Sequence, residues 1–437
     1  MTDRPDIRQA LAGLAQDLDR LLAVSDVQLA TGYPGEAGGR QPVHTAYVPA
    51  HLFGADTVRL WGSQALGALE EFAPDPAEFA EVFGLSPELG DKVQLLVQAK
   101  LTDEPIEDLR IDFEDGYGTR SDDTEDAHAR AAARSLRAVL SEPGVPPSVG
   151  IRCKSLEPKT RRRAISTIDA FLDAFCETSD PPFSFLITLP KVTSAAQVAA
   201  MNVICQRFEF AYRLRFRPRW LQFEVQVEMP QLILGADGAA TIARCVHAGE
   251  DRLIGLHYGT YDYSAAVGVS AAYQSLEHPA ADYAKAVMQV AAAGTGVRLS
   301  DGSSNVLPVG SRQEVVRAWQ LHARLVRRSL ERGFYQGWDL HPAQLVSRYT
   351  ATYAFYRQGL PAACERLRAY AERAAAGLEE PATGKALAGY LSRALDCGAV
   401  TEAEFSALTG LDKASLPWMV RSGRVPEQDP DILFEES

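Results

Sequence analysis

The chain has little of what marks a secreted, membrane-bound or nucleic-acid-binding protein. Its six cysteines, Cys153, Cys176, Cys205, Cys245, Cys364 and Cys397, are scattered through 437 residues with no C-x-x-C pair. That spacing argues against a disulfide framework or a zinc knuckle and fits a reducing cytoplasm. No apolar run approaches the roughly 18 residues of a membrane span. The opening stretch, MTDRPDIRQALAGLAQDLDR, is charged and amphipathic and lacks an apolar core, so no secretion signal is expected. Positive charge is in deficit: 44 Lys and Arg face 57 Asp and Glu, a net charge of −13. This opposes general nucleic-acid binding and favours solubility. No low-complexity tract interrupts the chain. The expectation is a cytoplasmic protein that engages neither nucleic acid nor membrane. An α/β barrel of about 250 residues with additions suits its length better than three small domains.

What is present is a beat. Seven polar residues each close a short apolar run: Glu114 in LRIDFED, Arg152 in VGIRCK, Lys191 in FLITLPK, Glu228 in LQFEVQVE, Asp262 in LIGLHYGTYD, Asp301 in VRLSD and His341 in GWDLHP. The gaps between them are 38, 39, 37, 34, 39 and 40 residues. A strand–helix–strand unit takes about 30 or more residues. An eighth run, TAYVP at Thr45–Pro49, precedes them. Eight parallel strands separated by helices close into a (β/α)₈ TIM barrel, and polar residues at the strands' C-terminal ends then meet on one face.

The rest of the chain fits around that barrel. Ile7–Val24 has helical spacing in Leu11, Leu14, Leu18, Leu21 and Leu22 and predicts an N-terminal helix. Residues 32–42, GYPGEAGGRQP, read as a glycine-rich loop. Residues 1–42 therefore form a helix and loop, and 43–350 the barrel. Residues 50–107 are too long for one crossover and predict a helical insertion around LWGSQALGALEEF and PAEFAEVFGL. The crossovers DDTEDAHARAAARSLRAVL, TRRRAISTIDAFLDAFCE, SAAQVAAMNVICQRFEFAY and SRQEVVRAWQLHARLVRRSLERG carry apolar residues at 3–4 spacing, several after a Ser, Thr or Asp cap. Residues 351–437 predict a helical appendage with apolar stripes at Leu367, Tyr370 and Leu378, then Leu387, Tyr390, Leu391 and Leu395. Stripes that narrow cannot form a core alone, so they should pack on the barrel, near its mouth, or on a second subunit.

Several residues could carry chemistry. Glu228 and Asp262 lie one strand–helix–strand unit apart, so they can sit on neighbouring strand ends. Two carboxylates there suit a hard divalent ion, Mg²⁺ or Mn²⁺, that keeps open positions for substrate oxygens. They equally suit a helix cap or a lysine pair. Arg152 offers a planar fork to a carboxylate or an enolate oxygen, or a structural bridge to Asp112, Glu114 or Asp115. Asp112, Glu114 and Asp115 repel one another unless a cation neutralises them. Lys191 could form a Schiff base, but a charge partner for nearby carboxylates is the better reading. His341 could be a base or a packed, hydrogen-bonded rim residue. Lys154, Lys159 and Arg161–Arg163 read as a solvated helix start or as a site for a nucleotide-bearing substrate.

These motifs carry a resemblance. IDFEDGY resembles the LDLEDAV signature of citrate lyase β-subunit-like proteins in the HpcH/HpaI aldolase family. VGIRCK is similar to that family's arginine strand, FLITLPK to its LPK strand and VQVEMPQ to its glutamate strand. LHYGTYDYSAAVG resembles its FGxEDYxxxLG segment and GWDLHPAQL its closing IHPxQ. Order and spacing match over Thr45–Arg348. The resemblance implies a phosphoenolpyruvate/pyruvate-binding TIM barrel in a homo-oligomer. Arg152 would bind the substrate carboxylate, helped by Lys191 and His341. Glu228 and Asp262 would hold Mg²⁺. Glu114 and Asp115 would orient the arginine and metal waters. The implied reaction cleaves or forms a C–C bond beside a carbonyl, in a 2-oxoacid, a 3-hydroxy acid or an acyl-CoA. Tyr261 stands where the family usually has Glu, and His257-Tyr258 replaces a smaller, more apolar pair. A thioester hydrolase on the same metal site, a Schiff-base aldolase and a non-catalytic binding protein are the rival readings.

Overall fold

The computed structural model describes residues 13–426, apart from residues 37, 143, 178–183, 213–218 and 376–379. Its strands follow the beat: β1 His44–Pro49, β2 Asp108–Asp112, β3 Ser148–Arg152, β4 Phe185–Leu189, β5 Leu221–Val227, β6 Leu253–Tyr258, β7 Arg298–Ser300 and β8 Gly337–Asp339. They form one parallel sheet in the order β7-β6-β5-β4-β3-β2-β1-β8. A parallel bridge between Ser300 and Gln336 joins its two edges. The Asp301 N–H donates to the Gln336 carbonyl at 2.8 Å, and the cylinder closes. This is a (β/α)₈ barrel.

Helices fall where the periodicity places them. Asp122–Val139, Arg161–Phe175, Ala195–Ala211 and Arg312–Glu331 match the four crossover expectations to within two residues. Ser194 and Ser311 each start a helix with a reciprocal capping box. The insertion after β1 is three helices, Thr57–Phe72, Pro76–Phe83 and Pro87–Asp103. The N-terminal helix is displaced from its expected bounds. It runs Leu14–Gly32, and no residue of it is buried. Residues 7–12 of the expected helix lie outside the described residues.

The C-terminal segment is not a separate unit. One helix, Gln344–Ala375, begins beside β8 and continues into the tail, so the boundary expected at residue 350 falls inside it. On its barrel side Arg348 grips Asp339 at 3.0 Å. Farther along, Tyr353 Oη donates to the Cys397 carbonyl at 2.9 Å and Arg357 holds Glu404 at 2.6 and 2.7 Å. Leu367, Tyr370, Leu387, Leu391 and Leu395 are buried in the same apolar core as the barrel helices, while Leu378 lies outside the described residues. The expectation that the tail lies near the barrel mouth is corrected. Arg393 and Asp396, on the helix Pro381–Asp396, line a cleft with Arg298 and Leu299 at the N-terminal end of β7. That is the end opposite Arg152.

The barrel lumen is polar. Alternation places Asp108, Arg110 and Asp112 on one face of β2, and Glu224, Gln226 and Glu228 on one face of β5 and its extension. Arg110, fully buried, donates to Asp108 at 2.8 Å and lies 3.0 Å from Glu224 across the lumen. His257 Nε2 lies 2.9 Å from the other Glu224 oxygen. Burial pushes the Glu224 pKa up, but Arg110 and His257 outweigh it and hold the group at about 2. Gly150 makes room for this arrangement, because a Cβ there would stand 2.3 Å from Arg110 Nη1.

Candidate active site at the barrel mouth

Above this polar layer the strand ends and the turns that follow them bring six of the seven expected site residues together, Arg152, Glu114, Asp115, Lys191, Glu228 and Asp262. Arg152, the last residue of β3, donates Nε and Nη2 to the two oxygens of Asp112, each at 2.6 Å. Asp112 also accepts the backbone N–H of Glu114 at 2.9 Å and of Gly116 at 2.8 Å. Gly116 permits that approach, since a Cβ would lie 2.6 Å from Asp112 Oδ2. The Arg152 guanidinium lies over the Tyr47 ring at 4.9 Å, and its Nη1 is 3.5 Å from Glu114. The arginine is thus fixed on one edge by Asp112 and on one face by an aromatic ring.

Lys191 stands in the middle of the acidic residues. Its Nζ is 2.9 Å from Asp262, 3.1 Å from Glu114, 3.3 Å from Asp115 and 3.7 Å from Glu228. Its own N–H donates to Glu228 Oε1 at 2.6 Å, from a backbone held at φ 54°. A non-glycine residue in the left-handed region marks a backbone fixed by its surroundings. Burial disfavours the ammonium, but Glu228 and Glu114 outweigh it and raise its pKa above the usual lysine value. A lysine kept protonated is a charge partner and a poor Schiff-base nucleophile.

Four carboxylates surround that one ammonium, so negative charge is in excess. Burial, with Glu114 and Asp262 adding to it, pushes the Glu228 carboxyl up to about 8. Burial raises Glu114 as well, against the pull of Arg152 and Lys191. Asp262 is half-exposed; burial would raise it, yet the Lys191 hydrogen bond prevails and lowers it. Asp262 is not at a strand end as expected. It lies in the first turn of the helix Thr260–Ala266 that follows β6. Gly259 precedes that turn, where a Cβ would meet Glu228 Cβ at 2.6 Å. Among the described residues no three His, Cys, Asp or Glu side chains converge on one metal position. The carboxylate oxygens around Lys191 are those of Glu114, Asp115, Glu228 and Asp262.

One expected site residue, His341, and one residue of the strand-end beat, Asp301, stand elsewhere. His341 Nδ1 accepts the Ala343 N–H at 3.2 Å and its own N–H donates to Gln344, so it fastens the turn into the last barrel helix. Asp301 turns away from the lumen and binds Lys285 at 3.0 Å and Ser329 at 2.6 Å. The structure adds residues that the strand-end beat passed over. Tyr47 Oη, both amide atoms of Gln226, His257 Nδ1 and Trp338 Nε1 are buried at the lumen without a hydrogen-bond partner among the described residues. The Tyr47 and Trp338 rings meet tilted at 4.8 Å, and Trp338 lies 6.3 Å from His257. Polar residues at every second position of DLRID and FEVQVE were the available signal for this polar lumen.

Fold and mouth define the class: a (β/α)₈ barrel with a clamped arginine facing an acidic cluster. The chain belongs to the family described as a domain of unknown function, DUF6986, whose model matches residues 22–422. No curated protein matches the sequence. Among solved structures it is similar to a citrate lyase from Burkholderia xenovorans LB400. The identity is 17%, over 86% of this chain and 98% of that one, with a TM-score of 0.55. A malate synthase magnesium/glyoxylate complex from Haloferax volcanii matches at 14% identity over 71% and 75% of the two chains, with a TM-score of 0.47. A citrate lyase β-subunit complexed with oxaloacetate and magnesium from M. tuberculosis matches at 16% over 71% and 96%, with a TM-score of 0.38. At these identities the likeness is one of fold. No described helix is long and apolar enough to cross a membrane.

Proposed function

We propose that the protein is a divalent-metal-dependent carbon–carbon lyase or aldolase acting on a small 2-oxo or 3-hydroxy acid, free or as its CoA thioester. The observation that carries this reading is the Arg152–Asp112 clamp beside the acidic cluster. The clamp holds a guanidinium fork at the mouth with Nη1 unsatisfied by any short bond. The cluster supplies carboxylate oxygens in electrostatic excess over one lysine.

Carboxylate oxygens are the donors a hard cation takes. Glu228 and Asp262 would hold Mg²⁺ or Mn²⁺, with water completing the shell. When bound, the ion supplies a Lewis-acid pole for the charge that develops on a carbonyl oxygen. The chain's own residues do the rest. Arg152 Nη1 binds the substrate carboxylate, and Asp112 keeps the fork from rotating away. Glu114, whose carboxyl burial raises against the pull of Arg152 and Lys191, stands 3.5 Å from Arg152 Nη1 and orients it. Lys191 balances the carboxylates and tethers Glu228 through its backbone N–H. Asp115, more exposed, adds to the field around Lys191. His341 supports the last barrel helix rather than the cluster. The bare apolar residues of the helix Leu14–Gly32 support assembly into a homo-oligomer.

Solvent-deuterium exchange into the methyl group of pyruvate, followed by NMR with Mn²⁺ or Mg²⁺ present, tests enolate formation directly. Exchange should depend on the metal and on Arg152. Product analysis with acyl-CoA substrates separates the rival: free CoA with no C–C cleavage makes the protein a thioester hydrolase.

A further inference from the structure

At the N-terminal end of the barrel, opposite the Arg152 mouth, a cleft of about 410 Å³ opens between residues 35–36 and 38–41, the turn 293–297 and the tail helices. That volume lies within the range of small-molecule sites. The loop is tied down: the Gly35 N–H donates to the Gly294 carbonyl at 2.8 Å. Gly38 and Gly39, at φ 68° and 73°, turn their carbonyls onto Arg298 Nη2 at 2.9 and 3.3 Å.

The guanidiniums of Arg298, Arg393 and Arg421 line this cleft with two carboxylates, Glu36 and Asp396, among them. Arg298 has no carboxylate within 4 Å among the described residues, only the two glycine carbonyls. Arg393 lies over the Tyr335 ring at 4.2 Å, and its nearest carboxylate, Glu36, is 3.9 Å away. Arg421, exposed at the rim, is in no ion pair among the described residues. Burial disfavours the charge on Arg298 and Arg393 adds to that, against the opposing pull of Glu36. Glu36 and Asp396 offset part of this local positive charge, and an anion in the cleft would offset more of it. Asp396 completes the lining. It is half-buried and unpaired by any cation within 4 Å among the described residues, and burial raises its carboxyl. It can accept hydrogen bonds from a ligand but would repel a bare anion placed against it.

We propose that this cleft is a second ligand site, distinct from the barrel mouth, for a small hydroxylated oxyanion, a sugar phosphate or a sugar acid. Arg298 and Arg393 take the phosphate or carboxylate, Arg421 closes over it, and Asp396 accepts from the hydroxyls. The apolar wall formed by Leu416, Pro417 and Val420 covers the carbon skeleton.

Calorimetric titration of the full-length protein with ribose 5-phosphate, gluconate, ribose and inorganic phosphate tests this. At least one of the first two should bind, more tightly than inorganic phosphate, while ribose gives no heat. Which of the two binds identifies the oxyanion. Arg298→Gln should weaken binding by about ten-fold or more, and Asp396→Ala should reduce the affinity to that of inorganic phosphate. Arg421→Ala, at an exposed position, should weaken it several-fold and decides the matter if Arg298→Gln does not fold. Arg152→Lys should leave it unchanged. No binding of either probe, equal binding by wild type and both arginine variants, or loss of binding in Arg152→Lys would overturn the proposal.

Discussion

Asp112 gives both of its oxygens to Arg152 at 2.6 Å and still accepts two backbone N–H groups from the turn that follows β2. The carboxylate joins two adjacent strand ends and fixes the guanidinium plane. Lysine at position 152 keeps the charge but loses the fork. We expect Arg152→Lys to cut pyruvate deuterium exchange by orders of magnitude while the circular dichroism spectrum is retained. Exchange close to wild type would make Arg152 a structural residue.

Metal binding should depend on Glu228 and Asp262 together. Oxygen ligand number and charge set affinity for Mg²⁺. Calorimetry of Glu228→Gln and Asp262→Asn with Mg²⁺ or Mn²⁺ should show weaker binding for both. Equal binding by wild type and both variants would remove the metal from the proposed function.

Lys191 competes with a cation for the same carboxylates. Lys191→Met removes an ammonium 2.9 Å from Asp262 and 3.7 Å from Glu228. Its thermal stability should fall in EDTA and recover with Mg²⁺ more than the wild type's does. A melting temperature equally insensitive to Mg²⁺ in both proteins would contradict this balance. Borohydride with pyruvate should leave no covalent adduct on the wild type.

Gly259→Ala probes the close approach of two elements. The added Cβ would stand 2.6 Å from Glu228 Cβ, so β5 and the turn after β6 must part. Overpacking of this kind costs about 1–3 kcal/mol. We expect that loss in denaturant titrations together with reduced Mg²⁺ affinity. Unchanged affinity would show that Glu228 adjusts freely.

His322 gives the protein a pH dependence away from the mouth. Burial, and then Arg348, lower its pKa from 6.5 to about 4, so the ring is neutral near pH 7 despite Asp339 at 3.4 Å. Between about pH 6.5 and 4 the unfolded chain binds a proton that the folded one refuses. Stability should therefore fall as pH drops through that window, by up to about 3 kcal/mol from this group. His322→Gln should flatten the profile measured by urea unfolding; an unchanged slope would assign the effect to other groups.

The sequence made the barrel legible because each strand had to be a short buried run followed by a helix, and that periodicity survives in Glu114, Arg152, Lys191 and Glu228. It misplaced Asp262 by a turn because GTYD begins a helix rather than ending a strand. It missed Asp301's direction because a strand-end carboxylate can face the lumen or the helix layer, and only the positions of Lys285 and Ser329 decide. Arg110 and Glu224 escaped notice because they lie 114 residues apart and meet only across the closed cylinder. The tail's location depended on long-range packing of Tyr353, Arg357 and Tyr370, which local periodicity does not encode.

That closed cylinder has a consequence for how the chain reaches it. Arg110 and Glu224 have little reason to give up water while the sheet is open, because they come from opposite walls. An intermediate lacking the contact between Ser300 and Gln336 would keep a wet, charged interior and gain little from collapse. Ring closure and dehydration of the charges then become one event. The barrel should assemble through a late, steep barrier rather than by adding one strand after another.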